Sequence, residues 1–187
     1  MSASETPGQR RERLLGQLVA SSARRGFAVA FDLLGERAEA EDAVQEALVR
    51  ACRGLETLRE DGAAEGWFMR TLVNQCLHVL RRRRVWSFVR GLWPGGTSTS
   101  TSVHEEPASE TPGADEQLVQ QAELARLHQV MERLPARQRV ALVLRHGQGL
   151  PVAEVGELLG VGEGTVKTHL VRGLARLRRE LGKGSGK

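Results

Sequence analysis

Residues 150–181 read LPVAEVGELLGVGEGTVKTHLVRGLARLRREL, and this stretch decides how the C-terminal part of the chain folds. It predicts two short helices joined by a tight turn, because Pro151 is tolerated at a helix start and residues 160–162, Gly-Val-Gly, suit a turn that needs positive φ. In the second helix, steps of about 100° per residue place an apolar stripe on one face, formed by Val166, Leu170, Gly173, Leu174 and Leu177.

The second of these helices is strongly basic. Residues 163–187 contain seven Lys and Arg side chains against two Glu. A solvated surface helix can have the same composition, but the turn spacing and the concentration of charge favour a helix-turn-helix whose second helix enters the DNA major groove. The face opposite the apolar stripe carries Thr165, Thr168, Arg172, Ala175, Arg176 and Arg179.

The composition indicates a helical protein with a polyanionic partner. The chain has 187 residues, 40% of them hydrophobic, and a formal net charge of +4, which suits one large or two small domains. The charges are segregated, since residues 32–61 hold nine acidic side chains against four Arg, whereas residues 81–84 are all Arg.

Several classes of site and location are disfavoured. Cys52 and Cys76 lack the spacing of a metal site and are expected to be small core residues, so neither a metal nor a cofactor is predicted. No apolar run is long enough to cross a membrane, and the N-terminal residues lack the apolar core of a secretory signal. We therefore expect a cytoplasmic protein with no direct membrane insertion.

Three helices are predicted in the first half of the chain. The first covers about residues 9–34 and ends at Gly35, the second begins near residue 40, and the third covers about residues 67–85. Apolar residues recur at helical spacing in the second helix from Ala40 to Leu55. Its opposite face presents Asp42, Gln45, Glu46 and Val49.

The third helix has a chemically mixed stripe facing away from its apolar side. An indole, cations and an amide in one line suit nucleic acid through stacking, phosphate attraction and hydrogen bonding to base edges. The alternative is that the indole packs at the helix start and the Arg side chains are merely solvated. The stripe comprises Trp67, Arg70, Asn74, His78 and Arg81.

A segment rich in Gly, Ser, Thr and Pro separates the two helical parts, because it cannot bury enough apolar surface to fold alone. The fold class is therefore all-α, with two small helical domains joined by a flexible linker. We assign residues 1–93 to the first domain, 94–116 to the linker and 117–187 to the second domain, which ends in the helix-turn-helix. Its first helix places on one face Leu124, Leu127, Val130, Met131 and Leu134.

Three segments in this order resemble a known family. Residues 40–51 (AEDAVQEALVRA) are similar to the polymerase-binding helix of bacterial extracytoplasmic-function (ECF) sigma factors. Residues 67–84 (WFMRTLVNQCLHVLRRRR) are similar to the minus-ten helix of that family. Residues 134–170 (LPARQRVALVLRHGQGLPVAEVGELLGVGEGTVKTHL) are similar to its minus-thirty-five domain. The resemblance implies a dissociable initiation subunit, monomeric when free, that directs core RNA polymerase to promoters. It also implies an anti-sigma partner.

The resemblance assigns roles to individual positions. The clamp helices of the polymerase's largest subunit would contact Asp42, Gln45, Glu46 and Val49, and the implied partner is core polymerase with its beta and beta-prime subunits. Melted minus-ten DNA would contact Trp67, Arg70, Asn74, His78, Arg81 and Arg82, and the loop at residues 58–66 would border the pocket for a flipped-out base. The duplex minus-thirty-five element would contact Thr165, Lys167, Thr168, His169, Arg172 and Arg176.

Some positions depart from the family pattern. His78 stands where Asp is frequent, which implies an altered minus-ten preference, and Gly162 stands where a Ser cap is frequent. Cys52 replaces a common Trp. The segment WSFVRGLW (residues 86–93) lies outside the pattern, and we expect its aromatic side chains to dock on the first domain rather than contact polymerase or single-stranded DNA.

Three other functions are compatible with parts of the sequence. GEGTVKTHL also occurs in activators of the response-regulator class, but residues 1–93 show no strands or acidic pocket for a phosphoacceptor domain. A nuclease would need acidic or His residues at a spacing that holds a metal or activates water, and none is evident. A redox-responsive regulator would use Cys52 and Cys76.

Overall fold

The structure is a computed structural model that describes residues 6–54, 60–92 and 114–182, and within these ranges the all-α prediction is confirmed. The first helices pack together as an N-terminal bundle. A π-helical segment, Leu18–Ser22, joins the first two of them without a break. The helices are α1 (Pro7–Gln17), α2 (Ala23–Leu34), α3 (Arg37–Gly54) and α4 (Ala63–Leu92).

The remaining helices form a C-terminal bundle in which α8 contacts the three helices that precede it. A second π-helical segment, Val143–Gly147, extends α6. The helices are α5 (Ala114–Glu132), α6 (Ala136–Leu142), α7 (Val152–Leu159) and α8 (Glu163–Gly182).

Local sequence signals explain where the first helices begin and end. Thr6 caps α1 by accepting a hydrogen bond from the Gln9 N–H at 3.3 Å, and the Gln9 side chain accepts one from the Thr6 N–H at 3.0 Å. This reciprocal pair satisfies two N–H groups that a helix start leaves unpaired. Gly35 ends α2 with φ 74°, a conformation that glycine adopts without strain.

Small residues let the N-terminal bundle pack closely. A Cβ atom at Gly26 would lie 3.0 Å from side-chain atoms of both Phe68 and Leu72, so α2 approaches α4 at a position without a side chain. The inner face of α3 is lined by alanines, including Ala40 and Ala47, which are fully buried. Because of this packing, the polar face of α3 points away from the core.

The two bundles are packed against each other. Helix α4 contacts α6 and α7, and the Val143–Gly147 segment contacts α2. One continuous apolar core contains Leu77 and Leu80 of α4 together with Val155 and Leu158 of α7. Leu77 is only 2% exposed although it was not predicted on the inner face of α4, because the C-terminal bundle provides a second partner for this helix.

Four predictions differ from the structure at helix ends and edges. Leu124 was predicted to be part of an apolar face but is exposed, and the linker predicted for 94–116 is already helical from Ala114. Helix α4 continues to Leu92, seven residues past the predicted end. The predicted docking of the 86–93 segment is wrong for Trp86, which is 58% exposed. The side chains of residues 87–93, the rest of the linker up to residue 113 and Leu55 lie outside the described part.

Candidate nucleic-acid and polymerase interfaces

The turn between α7 and α8 has the geometry of a helix-turn-helix. Gly160 ends α7 with φ 64°, and the Val161 N–H then donates to the Gly156 carbonyl at 2.9 Å. A Cβ atom at Gly156 would lie 2.7 Å from the Val161 carbonyl oxygen, closer than real contacts allow. The turn therefore requires glycine at two positions, one for its φ and one for its lack of a side chain. Only Gly160 of the predicted 160–162 turn has positive φ.

Helix α8 is held by its apolar stripe, as predicted. Val166 is fully buried, and Gly173 is buried so close to α6 that a Cβ atom there would lie 2.8 Å from Leu142 Cδ1. The rest of the stripe is partly buried, whereas most of the outer face is solvent-exposed. The exposed residues among those predicted to contact minus-thirty-five DNA are Thr165, Lys167, Thr168, Arg172 and Arg176.

Two of these side chains are engaged within α8 itself. Lys167 Nζ lies 3.6 Å from a carboxylate oxygen of Glu163, and Thr168 Oγ1 donates to the Gly164 carbonyl at 2.9 Å. On the helical wheel, Lys167 lies about 100° from Val166 and about 140° from Arg172, outside the face that carries Arg172. Both side chains would have to exchange these contacts for DNA contacts.

His169 differs from the other predicted contacts because it is only half-exposed. Its Nδ1 atom is buried without a hydrogen-bond partner. Burial, together with the positive charges of Arg137 and Arg172, lowers the pKa of His169 below its usual value. The neutral form of the imidazole is therefore favoured, and the ring lies at the inner edge of the α8 face.

Helix α4 displays most of its predicted stripe to solvent. Arg70, Asn74, His78, Arg81 and Arg82 are all exposed, and from residue 70 to residue 81 they follow about 17 Å of helix axis. That length corresponds to roughly five stacked nucleotides of one strand.

Trp67 combines packing and exposure. A Cβ atom at Gly54 would lie 2.7 Å from Trp67 Cζ2, so the indole lies over the end of α3 and is half-buried. The alternative that the indole packs at the helix start therefore holds for the part of the ring that covers α3. Its remaining surface lies beside the exposed α4 stripe.

Arg83 is a structural residue that sequence reasoning did not separate from its neighbours in the 81–84 run. Its Nη1 donates to the Leu34 carbonyl at 2.7 Å, and its Nη2 donates to the Glu39 carboxylate in a short charged contact. Arg83 thus ties α4 to the end of α2 and the start of α3. Helical periodicity could have revealed this, since Arg83 lies on the same side of α4 as Leu72 and Cys76.

The predicted polymerase-binding face of α3 is accessible. Asp42, Gln45 and Val49 are exposed, and Glu46 is half-exposed and paired with Arg50 Nε at 2.9 Å. The 46% exposure of Val49 leaves apolar area among polar acceptors. This combination suits a protein partner better than it suits DNA, whose phosphates the two carboxylates would repel.

A charged cluster fixes the segment that leads into α4. Asp61 accepts from Arg10 Nε at 2.7 Å and from Arg13 Nη2 at 2.6 Å. Hydrogen bonds from Arg13 and then Arg10 lower the pKa of Asp61. Residues 58 and 59 of the predicted 58–66 loop lie outside the described residues, and Asp61 is held by α1. The end of the predicted loop is wrong, because residues 63–66 already belong to α4, which begins four residues before its predicted start.

The described ranges offer neither a metal-binding cluster nor a membrane-spanning helix. These ranges bring no three side chains of the His, Cys, Asp or Glu types together at a possible metal site. None of their helices has both the length and the apolar character that a membrane span requires. Cys76 is buried, and burial raises the pKa of its thiol to about 12.

The fold and these surfaces define a class: an all-helical factor with an exposed basic and aromatic helix in one bundle and a helix-turn-helix in the other. Family comparison identifies the class further. Residues 18–85 match the Sigma-70 region 2 model, and residues 124–177 match the Sigma-70 region 4 model. The chain is a member of the ECF group of RNA polymerase sigma factors. The response-regulator alternative is not supported, because region 2 occupies the first half of the chain.

Curated relatives agree with this assignment. The ECF RNA polymerase sigma factor SigM of Mycobacterium tuberculosis is 35% identical over 144 residues, which cover 77% of this chain and 65% of SigM. SigE of Mycolicibacterium smegmatis is 32% identical, covering 90% of this chain and 62% of SigE. The RNA polymerase sigma-E factor of Streptomyces coelicolor is 33% identical, covering 80% and 75%. The chain thus spans less than two thirds of the length of SigM and SigE.

Solved structures share the fold. The sigma factor RpoE of Bartonella quintana, crystallised with the anti-sigma factor NepR, aligns with a TM-score of 0.62 over 89% of this chain and 94% of that chain, at 22% identity. CnrH, solved in complex with the cytosolic domain of CnrY, aligns with a TM-score of 0.59 over 95% and 96%, also at 22% identity.

Proposed function

We propose that this chain binds core RNA polymerase through its beta and beta-prime subunits and directs the enzyme to specific promoters in a stress or signal response. It acts as an initiation factor in the cytoplasm and is not itself an enzyme. The observation that carries the proposal is the presence, on one chain of the ECF group, of an exposed nucleic-acid-type face on α4 and a helix-turn-helix at α7 and α8.

The face of α3 formed by Asp42, Gln45, Glu46 and Val49 binds polymerase in this proposal. Three polar acceptors surround one exposed apolar side chain, so a basic partner helix with an apolar spot would be complementary. Because the opposite face of α3 is packed as an alanine core, a change on the binding face does not reach the fold.

The face of α4 binds promoter DNA where the strands separate. Arg70, Arg81 and Arg82 attract phosphates, Asn74 hydrogen-bonds base edges, and the open part of Trp67 stacks on a base. His78 contributes no fixed negative charge where the family often has Asp, so we propose that it alters which minus-ten base is preferred.

The face of α8 binds the minus-thirty-five duplex. Arg172 and Arg176 lie on the centre of this face and supply phosphate or guanine contacts, of which a good bidentate one discriminates by about 1–3 kcal/mol. Thr165 and Thr168 suit shorter contacts, His169 lies on one flank of the face, and Lys167 lies beyond the opposite flank.

The proposal includes the two assigned domains, a linker between them that ends where α5 begins at Ala114, and a free monomer. It also includes an anti-sigma factor as regulator, which is supported by the crystallisation of the related fold of RpoE with such a factor. No cofactor is required, since recognition rests on side chains alone.

Transcription reconstituted from purified components tests the proposal. The chain is added to core polymerase depleted of sigma factors, with a fragmented genomic library as template, and transcript 5′ ends are sequenced. We expect a new set of start sites that share one upstream sequence pattern. Transcripts identical to those made by core polymerase alone would overturn the proposal.

A further inference from the structure

Two large apolar side chains are exposed side by side near the end of α4. Val85 is 61% exposed and Trp86 is 58% exposed, although both lie within a helix that continues to Leu92. Leaving such side chains in water forgoes the free energy that their burial would provide. An adjacent pair of them therefore indicates a surface that a partner covers.

This pair continues the proposed minus-ten face beyond its last assigned residue. Val85 follows Trp67 by 18 residues, or about five helical turns, so the two lie on one line along α4. Trp86 follows Arg82 by one turn, and Arg81 and Arg82 are themselves exposed. The α4 end surface is defined here as Arg81, Arg82, Val85 and Trp86.

The charge around the α4 end surface is of one sign. Residues 66–92 contain six Arg and neither Asp nor Glu. The proposed polymerase-binding face of α3 differs, because it combines the exposed Val49 with two carboxylates. A cationic surface with apolar area in its middle suits DNA, whose phosphates attract guanidinium groups and whose grooves offer thymine methyl groups. A protein partner would need a matching acidic patch.

The direction of α4 indicates which part of the promoter meets this surface. In the proposed function, the start of α4 lies where the strands separate. The chain leaves the other end of α4 toward the helix-turn-helix, which binds duplex further upstream. The end of α4 therefore points upstream, toward DNA that is still paired. Trp86 lies about 12 Å of helix axis beyond His78, which corresponds to roughly three or four base pairs.

We propose that the α4 end surface is a third DNA-contact site, which binds the duplex immediately upstream of the minus-ten element. The side chains of Val85 and Trp86 cover apolar atoms of the groove, such as thymine methyl groups. The indole N–H of Trp86 donates to a phosphate oxygen, and Arg82 pairs with a neighbouring phosphate. The site rests on the proposed function and adds recognised DNA between the minus-ten and minus-thirty-five elements.

Two promoter templates that differ only in this duplex test the proposal. Both carry the melted minus-ten strand of a promoter found in the start-site experiment. In one, the duplex ends at the upstream edge of the minus-ten element, and in the other it continues for about ten more base pairs. This length stops short of the minus-thirty-five element, which lies about 25 base pairs upstream of minus ten, so α8 contributes to neither template. Fluorescence anisotropy measures binding by core polymerase loaded with the full-length chain.

Wild-type holoenzyme should bind the longer template about tenfold more tightly than the shorter one. Trp86→Ala should lose most of this gain, while its affinities for the shorter template and for core polymerase stay unchanged. Trp86→Phe should keep much of the gain, because it retains an aromatic ring. The absence of a gain in wild type, an equal gain for Trp86→Ala, or weaker polymerase binding by Trp86→Ala would each overturn the proposal.

The outcome for wild type also separates this proposal from the proposed function. If wild-type holoenzyme binds neither template better than core polymerase alone, the proposed function itself is wrong. If it binds the shorter template specifically but gains nothing from the added duplex, only the third contact site is wrong.

Val85→Ala and Val19→Ala form a matched pair of variants. Each removes two methyl groups from an exposed side chain of the N-terminal bundle, since Val19 is 52% exposed. Circular dichroism should therefore show unchanged helix content for both. Val85→Ala should reduce the gain from the longer template by about two- to threefold, whereas Val19→Ala should leave it unchanged. Equal gains for the two variants would show that the apolar contact does not lie at the end of α4.

Discussion

Gly156→Ala should disrupt the helix-turn-helix although it adds a single methyl group. The new Cβ atom would lie 2.7 Å from the Val161 carbonyl oxygen, which is a backbone atom and cannot rotate away. Relieving this contact opens the turn and weakens the 2.9 Å hydrogen bond between the Val161 N–H and the Gly156 carbonyl. Overpacking lowers the free energy of unfolding by about 1–3 kcal/mol, and the weakened hydrogen bond lowers it by about 1 kcal/mol. The higher helix propensity of Ala raises it by about 1 kcal/mol.

The net expectation is a loss of about 2 kcal/mol, or a melting temperature lowered by roughly 4–8 °C for a chain of this size. Gly164→Ala is the matched control, since a Cβ atom there would meet nothing within 4 Å and the variant should be as stable as wild type or slightly more stable. Thermal melts followed by circular dichroism measure both. Fluorescence anisotropy with promoter duplex should show weakened binding for Gly156→Ala alone. Equal melting temperatures for the two variants would refute the reasoning.

Three further predictions concern the proposed contacts. Arg172→Ala should lower the affinity for duplex DNA and reduce the slope of log affinity against log salt concentration by about one unit. Arg178→Ala, on another flank of α8, should leave that slope unchanged. If a salt titration gives equal slopes for Arg172→Ala and wild type, Arg172 does not belong to the interface. Asp42→Arg combined with Glu46→Arg should abolish co-purification with core polymerase while circular dichroism stays unchanged, and retained association would contradict the α3 assignment. His169 has a lowered pKa, so its contribution to stability is complete above about pH 6.5 and decreases as the pH falls through the folded-state pKa. His169→Gln should flatten that part of the urea-stability profile, and an unchanged profile would contradict the burial argument.

The sequence was informative wherever one helical period decides which side chains are buried. The stripe of α8 from Val166 to Leu177 and the exposed stripe of α4 were both predicted, because each follows from about 3.6 residues per turn and the polarity of the residues. Gly35 and Gly160 were predicted as helix ends because glycine tolerates the positive φ found there. These features depend on local chemistry alone.

The missed features depend on contacts between distant segments. Leu77 is buried because a second bundle covers α4, and Arg83 turns inward because Leu34 and Glu39 lie beside it. Leu124 and Trp86 are exposed because no described helix covers them, although each looks apolar in a linear pattern. The packing of the two bundles against each other and the burial of Arg139 belong to the same class, since one chain segment does not reveal which other segment it meets.

The central claim is that α4 and α8 of one chain read two separated promoter elements at the same time. Site-specific photo-cross-linking in the assembled polymerase complex measures this directly, with one crosslinking amino acid placed at His78 and another, in a separate protein, at Arg172. The account predicts DNA adducts about 85 Å apart along the duplex, near the start site for position 78 and upstream for position 172. Adducts at the same DNA position, or none above the level of core polymerase alone, would contradict it.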